Sequence, residues 1–345
     1  MTGPLIQSML DGVPLPACMI GRDERIMAAN SGCDALIGSG MVGRHHGLAL
    51  RQPVLLEAIA TTLADATPRS VRLVLPQANQ EESFTVTLAP VLPGDGFGGG
   101  VLLTFQDVTE QARAAQMRRE FVANVSHELR TPLTALMGFI ETLKGAAKDD
   151  PAARERFLGI MEREAGRMNR LVRDLLHLSR VEAEERVRPR DPVDVVGLIQ
   201  MAMTTLRDVA VASKVELALV GAVGRTVVPG DADQLAQVFT NLIENAVKYG
   251  GPGKRVEVRL SHEATLRGPA LRVDVVDQGE GIDPVHLPRL TERFYRVDTH
   301  RSRAQGGTGL GLAIVKHIVS RHRGWLKIDS TLGQGSVFSV ILPEG

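Results

Sequence analysis

The chain has 345 residues, enough for two or three domains. Lysine plus arginine and aspartate plus glutamate balance at 40 each, so no global field draws it to an anionic membrane, and no direct nucleic-acid binding is expected. Apolar residues make up 43% and aromatic residues 3%, which predicts globular cores built from aliphatic and methionine side chains. No apolar run reaches the ~18 residues a membrane-spanning helix needs. The first eight residues lack the basic start and apolar core of a secretory signal. Cys18 and Cys33 fit no metal or redox spacing and read as reduced thiols. The expected location is cytoplasmic.

Residues 1–108 mix short apolar runs with glycine and proline. Segments 16–20 and 25–28 read as strands around a turn at 21–24. Residues 53–65 read as a helix, and 70–75, 83–88 and 100–105 as strands. The glycine-rich run 94–100 reads as a flexible hairpin tip. A small α+β domain with an antiparallel sheet is expected. His45 and His46 invite a haem or metal reading. Adjacent histidines point to opposite sides of an extended chain and to adjacent faces of a helix, however, so a solvated loop is expected there. No residue in this region demands a cofactor.

Residues 109–185 change to a helical period. Phe121, Val125, Leu129, Pro132, Leu136, Phe139 and Leu143 recur at steps of three or four. After a polar break at 148–151, Leu158, Met161, Ala165, Met168, Val172 and Leu175 do the same. This is the seam of a two-helix hairpin. Two hairpins from two chains would complete a four-helix bundle, so a homodimer is expected; packing against the other domains is the alternative. The first helix carries His127, followed by Glu128, Thr131 and Pro132. A neutral imidazole is a competent nucleophile near neutral pH. Glu128 could hold one ring N–H and leave the other nitrogen free to attack. Pro132 should bend the helix just after the site. A surface histidine on an amphipathic helix is the plain alternative. The ATP-type motifs downstream weigh against it.

Residues 186–192 form a charged, proline-containing linker and a candidate hinge. Residues 191–345 alternate helical and strand patterns, as in one α/β domain. Its helix opened by Asp231 or Asp233 carries Asn241, Asn245 and Lys248 at steps of four and three, on one face. Amide oxygens there suit Mg²⁺ and the ammonium suits phosphate, although a capped surface helix fits equally well. Downstream, a strand ends in Asp277, followed by Gly279 and Gly281. A buried carboxylate can accept from an exocyclic amine, and the glycines let backbone approach a base; ordinary turn chemistry is the alternative. The loop Gly307, Thr308, Gly309, Leu310 and Gly311 feeds an apolar helix, so its N–H groups can meet phosphates. The polar stretch 299–305 before it excludes a dinucleotide-binding unit. The run 332–340 reads as a tight turn into a terminal strand.

The order and spacing of these motifs, with 293–296 between the last two, resembles the H, N, G1, F and G2 boxes of sensor histidine kinases over residues 109–345. Residues 1–108 resemble a PAS sensor domain. The run 286–298, with the His127 motif, is most similar to the phosphate-regulon (PhoR-like) branch, which usually begins with membrane-spanning helices. The resemblance implies a multidomain α+β protein. Its parts would be a PAS-like sensor domain (1–108), an antiparallel helical-hairpin dimerisation and phosphotransfer domain (109–185), and an α/β-sandwich ATP-binding domain of the gyrase/Hsp90 class (191–345). It implies His127 as phosphoacceptor, Glu128 as acid/base and Thr131 as the residue that positions water for the reverse reaction. It implies Asn245 as the Mg²⁺ ligand with Asn241 beside it, Lys248 and Tyr249 as nucleotide contacts, and Asp277 with Gly279 and Gly281 at the adenine. A lid would start near Phe294 and include 307–311. ATP and Mg²⁺ are the implied cofactors. The implied partners are a second copy, a cognate PhoB-like response regulator and a phosphate-transporter-associated regulator. A chaperone or mismatch-repair-type ATPase would share the nucleotide fold without needing the His127 motif. A scaffold with a decayed kinase would not keep every motif. The input could be haem, flavin, a metabolite, a redox change or a partner protein.

Overall fold

The computed structural model describes residues 2–77, 80–94, 98–184, 187–221, 226–251, 253–266, 268–297 and 307–344. The predicted hairpin tip is therefore described only at its ends, and Arg186, Gly306 and the stretch 299–305 lie outside the described residues. The chain forms two compact units, Met1–Val122 and Ala123–Gly345.

The first unit runs α1 (Thr2–Asp11), β1 (Ala17–Gly21), β2 (Ile26–Ala29), α2 (Ser31–Ile37), α3 (His46–Ala49), α4 (Pro53–Asp65), β3 (Arg69–Gln77), β4 (Gln80–Val91) and β5 (Gly100–Asp107). The strands form one antiparallel sheet in the order β2-β1-β5-β4-β3. The predicted strands and the helix at 53–65 are all present; α1, α2 and α3 were not anticipated. Side chains alternate across the sheet. Cys18, Ile20, Val101, Leu103 and Phe105 join Leu55 and Ile59 of α4 in one core, while Ala17, Met19 and Ala28 pack with Leu10 of α1 on the other face. Cys18 and Cys33 share a hydrogen bond inside the first core. That bond, and then burial, push the Cys18 thiol well above its ordinary value, which leaves it unreactive.

Asn30 joins the two faces. Its Oδ1 accepts from Ala17 N (2.9 Å) and from Cys33 N (3.0 Å), capping α2. Its Nδ2 donates to the carbonyls of Leu10 (3.2 Å), Val13 (3.2 Å) and Leu15 (2.8 Å). One buried amide thus ties α1, β1 and α2 together. The histidine pair departs from expectation. His45 caps α3, His46 is buried at its start, and their rings stack at 4.7 Å. The chain there is a helix entrance and not an extended loop, so neighbouring rings share a side.

Helix α5 (Thr109–Lys144) spans the boundary of the two units and is followed by α6 (Pro151–Glu184). Pro132 has no N–H, so the Glu128 carbonyl loses its helical donor, yet α5 continues unbroken to Lys144. The two helices pair antiparallel: Phe139 stacks on Phe157 at 5.3 Å, and Arg167 Nη2 donates to Glu128 Oε2 at 2.7 Å. Leu158 and Val172 of the seam, and Leu133, Met137, Ile140 and Leu176 outside it, remain exposed.

The rest of the second unit runs β6 (Asp191–Asp194), α7 (Val195–Thr205), α8 (Arg207–Ala212), β7 (Glu216–Val220), β8 (Val227–Gly230), α9 (Ala232–Gly250), β9 (Arg255–Thr265), β10 (Gly268–Asp277), α10 (Gly311–Arg321), β11 (Trp325–Thr331) and β12 (Gly335–Pro343). Five strands form a sheet in the order β11-β12-β10-β9-β7, antiparallel except for β7 beside β9. Asp191 and Pro192, read as linker, instead open β6, which pairs with β8. Val187 in that linker is held by Arg321, whose Nε donates to its carbonyl at 3.1 Å. Leu235, Val238, Phe239, Leu242, Ile243, Ala246 and Val247 recur at helical spacing, so α9 buries one full face in this layer. Its N-cap is Asp231, whose carboxylate accepts from Gln234 N at 3.1 Å.

Asn30→Ala should destabilise the first unit by about 2–4 kcal/mol, because it strips partners from several buried backbone groups at once. Urea unfolding of the full chain checks this through the midpoint of the affected transition. A loss under ~1 kcal/mol would show that water replaces the amide.

Candidate functional site: a cavity at the end of β10

The buried stripe of α9 fixes the direction of its next face. Asn241, Asn245 and Lys248 leave the core together and line a cavity of about 370 Å³ at the end of β10. Tyr249, Asp277, Gly281, Gly307, Thr308, Gly309 and Gly311 line the same cavity. Ten of the predicted nucleotide-site residues, distant in sequence, are therefore brought together. Three are not at the surface of the cavity. Gly279 N donates to Asp277 Oδ1 at 2.8 Å, Phe294 N donates to Gly309 O at 2.8 Å, and Leu310 is buried.

Asp277 is 5% exposed. Burial pushes its carboxyl up; the N–H groups of Gly279 and Ser336 and the Lys254 charge pull it partly back. Asp277 also lines the cavity, where a carboxyl group can accept from an amine. The half-buried Asn245 amide has no side-chain hydrogen-bond partner among the described residues and is open to a ligand. Lys248 is less free than expected: its Nζ pairs with Glu244 Oε1 at 2.6 Å, one turn back. The glycines serve the chain more than a base. Gly281 has φ 71° and Gly309 has φ 74°; a Cβ on the first would collide with the Thr331 carbonyl, and one on the second would sit 2.9 Å from Phe294 Cα. Both keep loops folded onto neighbouring backbone, and so shape the cavity indirectly.

His127 is exposed on α5. Glu128 does not hold its ring. The carboxylate is engaged by Arg167 at 2.7 Å and by Arg296 at 3.3 Å, because consecutive helix residues diverge around the axis. Thr131 Oγ1 donates to the His127 carbonyl at 3.2 Å. Arg296 also lines the cavity, so the residue next to His127 is joined to the nucleotide-site wall.

Arg170 and Asp174 of α6 line the cavity too, and neither was anticipated. Thr308 Oγ1 donates to Asp174 Oδ2 at 2.7 Å. Burial raises the Asp174 carboxyl, with the Thr308 bond opposing. In sequence both look like ordinary charged positions on a helix face, and no signal marks them. Arg296 had a weak signal, as part of the 293–296 motif.

A two-layer α/β domain with this cavity is the nucleotide-binding fold of one ATPase class. Residues 230–345 match the family of histidine kinase-, DNA gyrase B-, and HSP90-like ATPases, and residues 117–184 match the His Kinase A (phospho-acceptor) domain. The chain is 43% identical over 238 residues to the phosphate regulon sensor protein PhoR of Pseudomonas aeruginosa, covering 69% of this chain and 53% of that protein. It is 38% identical over 262 residues to the sensor protein kinase WalK of Staphylococcus saprophyticus, covering 75% and 42%. The chain thus spans about half the length of the curated relatives it matches. The histidine kinase ThkA, solved in complex with the response regulator protein TrrA, shares the fold over 98% of both chains, with a TM-score of 0.53 and 21% identity. The chain belongs to the sensor histidine kinases. Among the described residues, no helix is long and apolar enough to cross a membrane.

The buried Asp277 makes a signed prediction. Its pKa is raised in the folded state, so protonation favours folding: the stabilising contribution is fully present below the ordinary value of 3.8 and is lost as pH rises through the raised value. Wild type should therefore gain stability relative to Asp277→Asn as pH is lowered into that window. Thermal unfolding of both proteins across pH 3.5 to 7 (about the range set by ordinary carboxylates) checks it. A constant difference would show that burial does not perturb Asp277.

Proposed function

We propose that this chain is an ATP-dependent protein-histidine kinase that phosphorylates His127 and passes the phosphoryl group to an aspartate of a cognate response regulator. The observation that carries this reading is the convergence of Asn241, Asn245, Lys248, Asp277 and the 307–311 loop on one cavity, whose Arg296 wall also grips the residue beside His127. Asp277 would receive the adenine amine. Gly307, Thr308, Gly309 and Gly311 would cover the phosphates from above, with backbone N–H groups near the start of α10. Asn241 and Lys248 would flank the triphosphate, and Tyr249 would contact the nucleotide. The donor set fits Mg²⁺: the half-buried Asn245 amide lines the cavity with no side-chain hydrogen-bond partner among the described residues. Mg²⁺ held there would neutralise phosphate charge.

In the reaction, a ring nitrogen of His127 attacks the γ-phosphorus, an N–P bond forms, and the bond to the β,γ-bridging oxygen breaks to release ADP. Glu128 is the acid/base nearest the ring in sequence. Its two arginine contacts would have to loosen for it to act on a proton. Positioning dominates such transfers, so His127 must be delivered to the cavity mouth by domain motion, with the segment after α6 as the hinge. Thr131 would position water in the reverse, dephosphorylating reaction on the regulator.

The domain division 1–108, 109–185 and 191–345 belongs to this proposal. The five-stranded antiparallel sheet, with α2 to α4 inserted between β2 and β3, supports a PAS-like sensor. The exposed apolar side chains on α5 and α6 support a homodimer through the hairpin. Likeness to PhoR supports phosphate signalling to a PhoB-like regulator and contact with a transporter-associated regulator. WalK kinases match at comparable identity, so this is the finer part of the proposal. A reaction that consumes ATP supports a cytoplasmic location for the catalytic part.

Asn245→Asp sets a carboxylate against the triphosphate. It should weaken ATP binding in Mg²⁺ by about 100-fold, roughly 2.7 kcal/mol, in calorimetric titration of the full chain. Unchanged affinity would remove Asn245 from the metal role.

A further inference from the structure

In the first unit, the turn between β1 and β2 is laced to the segment leading into α3. Ile26 N donates to Arg44 O at 2.9 Å, Gly43 N to Ile26 O at 2.7 Å, and His46 N to Glu24 O at 3.0 Å. This lacing gathers Glu24, His45 and His46, with one ligating atom from each within 4.8 Å of the others. The imidazole rings stack at 4.7 Å with their planes 24° apart, and His45 Nε2 lies 2.8 Å from Glu24 Oε2. None of the three belongs to the nucleotide cavity.

Two features exceed what a surface ion pair explains. Glu24 is held at φ 61°, a left-handed conformation that a side chain with a Cβ rarely adopts. His46 is 5% exposed, and its Nδ1 is buried with no hydrogen-bond partner among the described residues. Buried ring nitrogens in folded proteins are normally satisfied, so this one points to a missing partner.

We propose that Glu24, His45 and His46 form a binding site for a divalent transition-metal ion of the zinc class. Two imidazoles and a carboxylate are a donor set that such ions prefer, with water completing a tetrahedron. Bond lengths of about 2.0–2.2 Å put ligand atoms roughly 3.3 Å apart, so the widest separation, within 4.8 Å, must close by up to about 1.5 Å. Glu24 and His45 can supply this movement, since each side chain is half exposed. Gly47 N donates to His45 Nδ1 at 3.1 Å, which places the ring proton on Nε2, facing Glu24. Ligation through Nε2 moves that proton to Nδ1 and releases the Gly47 bond; the ring stays neutral and no proton is lost. The proposal stands whether or not the kinase reading does.

The test is calorimetric titration of the full chain with Zn²⁺ alone, repeated with Co²⁺ for its visible absorption. Wild type is compared with Glu24→Gln, His45→Asn and His46→Gln. One equivalent should bind wild type and weaken by at least about tenfold in each variant, while nucleotide binding stays unchanged. His46→Gln risks the fold because the side chain is buried; the two exposed positions carry the test without it. The other histidines contribute the same background to every protein, so the difference is the readout. Equal stoichiometry and affinity in wild type, Glu24→Gln and His45→Asn would overturn the proposal, as would no binding by wild type.

Discussion

The seating of α9 on the sheet is the constraint on which the site depends. Seven apolar side chains at helical spacing bury one face of the helix among β9, β10 and α10. Each fully buried Leu, Val, Ile or Phe contributes about 1.5–3 kcal/mol, so rotation of α9 about its axis is strongly opposed. With the rotation fixed, Asn241, Asn245 and Lys248 can only emerge at the end of β10, where Asp277 is buried. The polar residues do not assemble the site by attracting one another. The hydrophobic face places them, and the chemistry follows.

A second layer of control is electrostatic. Glu128 sits between Arg167 and Arg296, and all three side chains are largely buried. Taking one member from such a cluster leaves uncompensated charge, which makes it sensitive to any movement that parts the groups. Asp174 and Thr308 make a parallel link between α6 and the 307–311 loop. Both links join the helical hairpin to the rim of the cavity. They are the contacts that a delivery motion of His127 would have to rearrange, and hydrogen bonds of this kind can be exchanged without disturbing the core.

What the sequence revealed and what it hid follow from the range of each interaction. Strands β1 to β5 and helix α4 were legible because their periodicity is local. Asn241, Asn245, Asp277 and Gly309 were legible because their motifs are short and ordered along the chain. Helices α2 and α3 were missed: at seven and four residues each is too short to show a periodic stripe, and each is opened by a local side-chain cap, from Asn30 and His45. His46 was misread because its direction is set by backbone bonds to a turn more than twenty residues away. Arg170 and Asp174 were invisible because their role exists only once α6 lies against the cavity. Glycines 281 and 309 were found, but for a different reason, since their neighbours are remote backbone and not a ligand.

The central claim is that His127 and the β10 cavity are two halves of one phosphoryl-transfer reaction. It is tested most directly by incubating the full chain with Mg²⁺ and ATP labelled at the γ-phosphate, beside His127→Gln. The account predicts label on the wild-type protein that is lost in acid and survives base, as a P–N bond requires, and none on the variant. Label that persists in His127→Gln, or ATP hydrolysis by wild type with no label on the protein, would contradict it.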